Sequence, residues 1–258
     1  MQNVKLTLAY DGTHYCGYQW QDNAVTVQGK LDAALQKVYP EENIVSYCAS
    51  RTDSGVHARG QVVNYFCQKA LPQSKLALAI NFFLPRDIRV MAAQYVCPDF
   101  RARQDAKQKR YRYYLYHHPI MDPFWRNYAL HVREAVLDYA KMETAAQDYV
   151  GTYNFSPFQG LQGADPGVDP VKTMHRVDLY RSNDHPIAYF EVVGNAFLYK
   201  MVRIMVGTLL DIGKGKLDQQ VVGTSLEQQD RSLVGPTAKP HGLFLEQIWY
   251  GKERPLTT

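Results

Sequence analysis

The stretch Ser50-Arg51-Thr52-Asp53-Ser54-Gly55-Val56-His57-Ala58 packs a guanidinium, a carboxylate, several hydroxyls and an imidazole into nine residues. An ionised carboxylate is a nucleophile or a general base, and loops carry such groups disproportionately because a rigid scaffold leaves their tips exposed. The same residues also make an ordinary turn, with Asp53-Ser54-Gly55 as turn chemistry and Arg51 pairing with Asp53 at the surface. Residue types alone leave both readings standing.

A second signal is Lys107-Gln108-Lys109-Arg110-Tyr111-Arg112-Tyr113-Tyr114-Leu115-Tyr116-His117-His118, with basic and aromatic residues interleaved in an expected strand. Alternation puts Tyr111, Tyr113 and Leu115 on one face and Arg110, Arg112, Tyr114 and Tyr116 on the other. Aromatic faces stack on bases and adjacent cations neutralise phosphates, a pattern that suits RNA. Tyrosines are also good strand formers, and basic residues protect a sheet edge. The third signal is Asn195 to Gly207, expected to be helical, where Leu198, Met201, Val202, Met205 and Leu209 form an apolar stripe beside Arg203. Such an arginine either snorkels to solvent or pairs with a carboxylate in a partly buried site.

The elements that must hold these residues are legible from periodicity. Lys5 to Tyr10 alternates as a strand, and Thr26 caps a helix carrying Val27, Leu31, Ala34, Leu35 and Val38 until Pro40. Strands at 43–48 and 61–67 flank the Asp53 loop; a helix at 74–83 and a strand at 88–97 follow. The first hundred residues therefore read β-α-β-β-α-β. The remainder repeats that order, with strands at 109–117, 176–180, 188–193 and 243–249, helices near 134–150 and 196–212, and an extra helix at 217–229. The expectation is an α+β fold of two ferredoxin-like halves, residues 1–104 and 105–258. Pro157 to Pro170, rich in glycine and proline, is expected to be a long surface loop.

Composition narrows the rest. A 46% hydrophobic chain of 258 residues supports a packed core. No apolar run approaches the roughly 18 residues of a membrane span, nor is there a signal-peptide pattern, so a cytoplasmic protein with no membrane association is expected. Cys16, Cys48, Cys67 and Cys97 form no metal-binding pair, and the eight histidines show no ligand spacing, so neither metal nor cofactor is expected. Net charge is only +4, which identifies no partner by itself.

Taken in order, these segments resemble the TruA-type tRNA pseudouridine synthases. Ser50 to Ala58 is similar to that family's G-R-T-D-A-G-V-H-A, and Tyr10-Asp11-Gly12-Thr13-His14-Tyr15-Cys16-Gly17-Tyr18-Gln19-Trp20-Gln21 to its Y-D-G-T-x-F-x-G-W-Q-x-Q. Matches continue through Phe100-Arg101-Ala102-Arg103, the Lys109 to Tyr113 strand, Gly151 to Phe155, Asn195 to Gly207 and His241 to Leu245. Departures are Ser50 for glycine, Ser54 for alanine, Tyr18 for tryptophan and Asn154 for aspartate. The resemblance implies a mostly antiparallel sheet with a central RNA-binding cleft, and isomerisation of uridine to pseudouridine at tRNA positions 38 to 40. It implies that Asp53 is the catalytic carboxylate, that Tyr111 stacks on the base, that Arg203 pairs with Asp53, and that Arg51 and Leu243 contact the target nucleotide. Arg101, Arg103, Lys109, Arg110 and Arg112 are the expected phosphate-binding cations, with Lys107 beside them. The implied assembly is a homodimer acting on tRNA. A non-catalytic RNA-binding protein or chaperone and an N-glycosidase releasing free base are the rival readings.

Overall fold

Strand β1, Gln2–Tyr10, shows the alternation that its sequence requires: Val4, Leu6, Leu8 and Tyr10 are buried, while Lys5, Thr7 and Ala9 are half-buried. The computed structural model describes residues 1–133, 137–160, 167–182 and 184–251. It divides into two units, one comprising Met1–Lys107 with the stretch from Phe244, the other Gln108–Leu243.

In the first unit, α1 (Val27–Val38) starts where expected, the Thr26 hydroxyl accepting from the Gly29 amide at 3.2 Å. It is followed by β2 (Tyr47–Cys48), β3 (His57–Cys67), α2 (Gln73–Phe83) and β4 (Ile88–Val96), so the expected βαββαβ order is present. β1 lies antiparallel between β3 and β4; β3's other edge carries β2 antiparallel and the last strand, β10 (Leu243–Trp249), parallel. Leu31, Leu35, Leu76 and Ile80 of the helices are fully buried, as apolar stripes facing a sheet must be.

Two boundaries differ from the sequence expectation. The strand expected at 43–48 is only two residues long, because Asp32 Oδ1 accepts both the Ser46 amide (3.1 Å) and its hydroxyl (2.6 Å), diverting that backbone from the ladder. β3 begins at His57 instead of 61, so the Val56-His57-Ala58 end of the loop motif runs into the sheet, where Phe244↔His57 and Leu245↔Ala58 pair.

The second unit contains β5 (Gln108–His117), β6 (Leu130–Val132), α3 (Tyr139–Gln147), β7 (Gly151–Asn154), β8 (Val171–Arg181), β9 (Ile187–Gly194), α4 (Met201–Gly213) and α5 (Val221–Gln228). Its strands run in the order β5-β9-β8-β7, all antiparallel, with β6 parallel on β5. β6 and β7, too short to give a periodic signal, are absent from the sequence reading. The helix expected near 134–150 spans only 139–147, capped by the Asp138 carboxylate on the Lys141 amide at 3.0 Å; residues 134–136 lie outside the described set, as do 161–166 of the expected loop. The helix expected from Ala196 starts instead at Met201, after Lys200 in a left-handed conformation (φ 59°). Leu198 is therefore buried from an irregular approach and not from the helical stripe.

Candidate functional site

Asp53 stands in a short connection between β2 and β3 whose own backbone forms little ladder. Extended geometry sends alternate side chains in opposite directions: Thr52 is buried, while Arg51 is exposed and Asp53 half-exposed. The segment just after β1 holds this connection by main-chain bonds. Tyr18 N donates to Thr52 O (3.0 Å), Gly55 N to Tyr15 O (3.2 Å), and Val56 N closes a turn on Asp53 O (3.1 Å). Gly55 adopts φ +77°, which the turn needs.

Two glycines make the approach possible. A Cβ on Gly12 would sit 2.0 Å from Val56 O, and one on Gly17, itself at φ +90°, would sit 2.8 Å from Thr52 O. The Tyr10 to Gln21 motif is thus the bed on which the Asp53 connection lies. His57 is buried and serves this bed: its Nδ1 accepts the Gly12 amide at 3.0 Å, and its ring stacks on Phe244 at 4.5 Å. Tyr15's hydroxyl donates to Asp87 at 2.7 Å, and burial together with that bond pushes its pKa up, so it stays protonated. Of the departures from the family pattern, Ser54 gains a bond from its hydroxyl to Tyr15 O (3.3 Å), and Tyr18 is fully buried against Tyr10.

The same unit presents Arg101, Arg103 and Lys107 to solvent. Their segment is fixed through Asn64, whose side-chain oxygen accepts the Ala102 amide (3.0 Å), and through Asn3, whose side chain donates to Phe100 O (2.9 Å). The Arg101 guanidinium lies 5.1 Å over the Phe66 ring.

In the second unit Tyr111 is 5% exposed, with its ring edge-on to Phe197 at 5.0 Å. On the same face of β5, Tyr113 donates its hydroxyl to Lys239 O (2.7 Å); burial raises its pKa, partly offset by the nearby Arg203 charge. Arg203 sits in the first turn of α4, with Nε donating to Ala238 O (2.8 Å) and its own carbonyl accepting the Ala238 amide (3.0 Å). Leu243, buried, follows Gly242, where a Cβ would meet the Tyr113 ring at 2.8 Å.

The other face of β5 carries Arg110 and Arg112, as alternation predicts, but their surroundings were not foreseen. Both turn to Glu191 of β9, Arg112 Nε at 2.7 Å and Arg110 Nε at 3.9 Å, and Arg176 of β8 meets the same carboxylate. Tyr114 and Tyr116 on that face are buried against Trp125, Tyr189, His118 and His131. Glu191 was missed, although a lone carboxylate inside the apolar run Tyr189-Phe190-Glu191-Val192-Val193 signals a buried ion pair. Lys109 is half-buried. Among the described residues no group of three or more His, Cys, Asp or Glu could hold a metal ion, and no helix is long and apolar enough to cross a membrane.

Residues 7–105 and 145–251 match the model of a family described as tRNA pseudouridine synthase. The chain is 43% identical over 244 residues to tRNA pseudouridine synthase A of Halalkalibacterium halodurans, covering 95% of this chain and 91% of that one. It is 41% identical over 254 residues to tRNA pseudouridine synthase A of Moorella thermoacetica, covering 97% and 100% respectively. A solved Cbf5-Nop10-Gar1 complex overlaps 94% of this chain and 49% of the matched one at 10% identity, with a TM-score of 0.38 that bears on nothing further. Family model and near-full-length relatives agree with one another: the chain belongs to the tRNA pseudouridine synthase family.

Proposed function

We propose that this enzyme isomerises uridine to pseudouridine in the tRNA anticodon stem-loop, at positions 38 to 40, with Asp53 as the catalytic carboxylate. The supporting observation is a carboxylate directed outward from a connection whose backbone is fixed on both sides by buried groups. A surface turn holding a simple Arg51–Asp53 pair needs no such bed.

In the reaction the N1–C1′ bond breaks, the base turns, and C5 bonds to C1′; C5 loses its proton and N1 takes one up, so composition is unchanged. Ionised Asp53 acts at the sugar, as nucleophile at C1′ or as base at C2′. Arg203 pairs with that carboxylate, Tyr111 and Leu243 receive the base, and Arg51 helps hold the nucleotide out of its stack. Arg101, Arg103 and Lys109 meet the phosphates of tRNA, Arg110 and Arg112 add less because they face Glu191, and the enzyme works as a cytoplasmic homodimer.

Pseudouridine mapping in tRNA from a strain lacking this protein tests the substrate. Loss confined to positions 38 to 40 is expected; an unchanged map, with no redundant enzyme present, contradicts the proposal. Release of free uracil in place of isomerised base favours the glycosidase reading instead.

A further inference from the structure

Gln61 lies in β3 with no exposed surface, in the run Gln61-Val62-Val63 where an apolar side chain would fill the same space without desolvating an amide. Both ends of its carboxamide are used on the backbone of one residue of the Asp53 connection, Ser50. Nε2 donates to Ser50 O at 2.6 Å, and the Ser50 amide donates to Oε1 at 3.3 Å. Nε2 also lies 3.5 Å from the Tyr10 hydroxyl, which shares a hydrogen bond of 2.8 Å with Thr52 Oγ1. Tyr10 and Thr52 are themselves buried, at 4% and 8% exposure.

We infer that Gln61, Tyr10 and Thr52 form a buried polar clamp that sets the position of the Asp53 carboxylate, making them positioning residues for the reaction. This rests on the reading of Asp53 as the catalytic group. The clamp grips Ser50 by its backbone and Thr52 by its buried hydroxyl, and so fixes the direction of the neighbouring Arg51 and Asp53. Main-chain bonds from Ala49 N to Val62 O (2.8 Å), Tyr18 N to Thr52 O (3.0 Å) and Gly55 N to Tyr15 O (3.2 Å) anchor the same stretch, and the side-chain clamp adds to them. A satisfied buried network has one arrangement, whereas an apolar floor would let the connection slide. A slip of about 1 Å between reacting groups is enough to lower a rate on the order of 100-fold.

The decisive variants are Thr52→Val, which is isosteric but removes the hydroxyl, Thr52→Ser, which restores it, and Tyr10→Phe, which breaks the same bond from the other side. Gln61→Leu is the severer change, and its folding is checked by thermal melting. Turnover on tRNA, KM and tRNA affinity are measured for each, with Asp53→Asn as a control. Thr52→Val and Tyr10→Phe are each expected to lower kcat by about 10- to 100-fold, with KM and affinity within about twofold of wild type. The double variant should be no slower than the worse single one, since both remove one bond, and Thr52→Ser should recover most of the rate.

Wild-type kcat in Thr52→Val, equal loss in Thr52→Ser, or multiplying losses in the double variant would overturn the inference. So would a loss of kcat matched by lost folding or lost tRNA affinity. An inactive Asp53→Asn beside a fully active Thr52→Val defeats the clamp alone, whereas an active Asp53→Asn defeats the catalytic assignment beneath it.

Discussion

The Asp53 connection and strand β5 are the two stretches richest in chemistry-bearing side chains, yet the structure uses them in opposite ways. Around Asp53 the buried polar groups of Gln61, Tyr10 and Thr52 serve the backbone, leaving the carboxylate and Arg51 directed outward. On the Arg110–Arg112 face of β5 the polar groups serve one another: Arg110, Arg112 and Arg176 converge on the buried Glu191, and Tyr114 and Tyr116 pack as core beside them. Density of functional residue types therefore does not mark a reactive site. What separates the two is whether burial falls on the scaffold or on the charged groups themselves.

Glu191→Ala should produce the larger energetic effect of two changes that sharpen this contrast. It removes the carboxylate shared by three guanidiniums, with side chains 18%, 25% and 34% exposed, while Arg176 keeps Asp178 at 3.4 Å. Breaking a buried pair costs about 3–5 kcal/mol, and partial solvation of the arginines lowers that to roughly 2–3 kcal/mol. Urea denaturation measures it; a midpoint equal to wild type would mean that Glu191 does not organise this face. By comparison, the Arg59–Glu246 pair at 3.6 Å, with its arginine 56% exposed, should be worth at most about 1 kcal/mol.

A smaller effect is expected in tRNA affinity as salt is raised. Replacing Arg101 or Arg103, both exposed, with alanine should reduce the slope of log affinity against log salt by about one each. Arg112→Ala should change it less, because that charge already faces Glu191 at 2.7 Å. An equal change from all three would erase the proposed difference between exposed and neutralised cations, and a flat salt response would remove phosphate contacts from the account.

Much of this architecture was legible in the sequence where periodicity runs long. β1, α1 from its Thr26 cap, α2, and β10 at 243–249 stand within a few residues of expectation. Legibility failed where a side chain competes for backbone, as Asp32 does at Ser46, or where one residue enters the left-handed region, as Lys200 does before α4. Short β6 and β7 depend on pairing with distant strands, which no local pattern records. At the candidate site, residue types alone left Asp53 and Arg51 standing between an ordinary turn and a reactive group, and the family resemblance chose the second. The supports were not: Gln61 reads as one polar residue in a strand, and its role depends on facing Ser50 eleven positions earlier. Glu191 is the parallel case on β9, where the carboxylate is visible in sequence but its arginine partners come from two other strands.

Tritium release from C5-labelled uridine in tRNA, comparing wild type with Asp53→Asn, tests the central claim most directly. Asparagine keeps the size and much of the hydrogen-bonding shape of aspartate but lacks its charge and basicity. The expected result is release at background level, with thermal melting and tRNA affinity close to wild type. Near-normal release from Asp53→Asn would contradict the assignment, because a surface turn tolerates that exchange and a catalytic carboxylate does not.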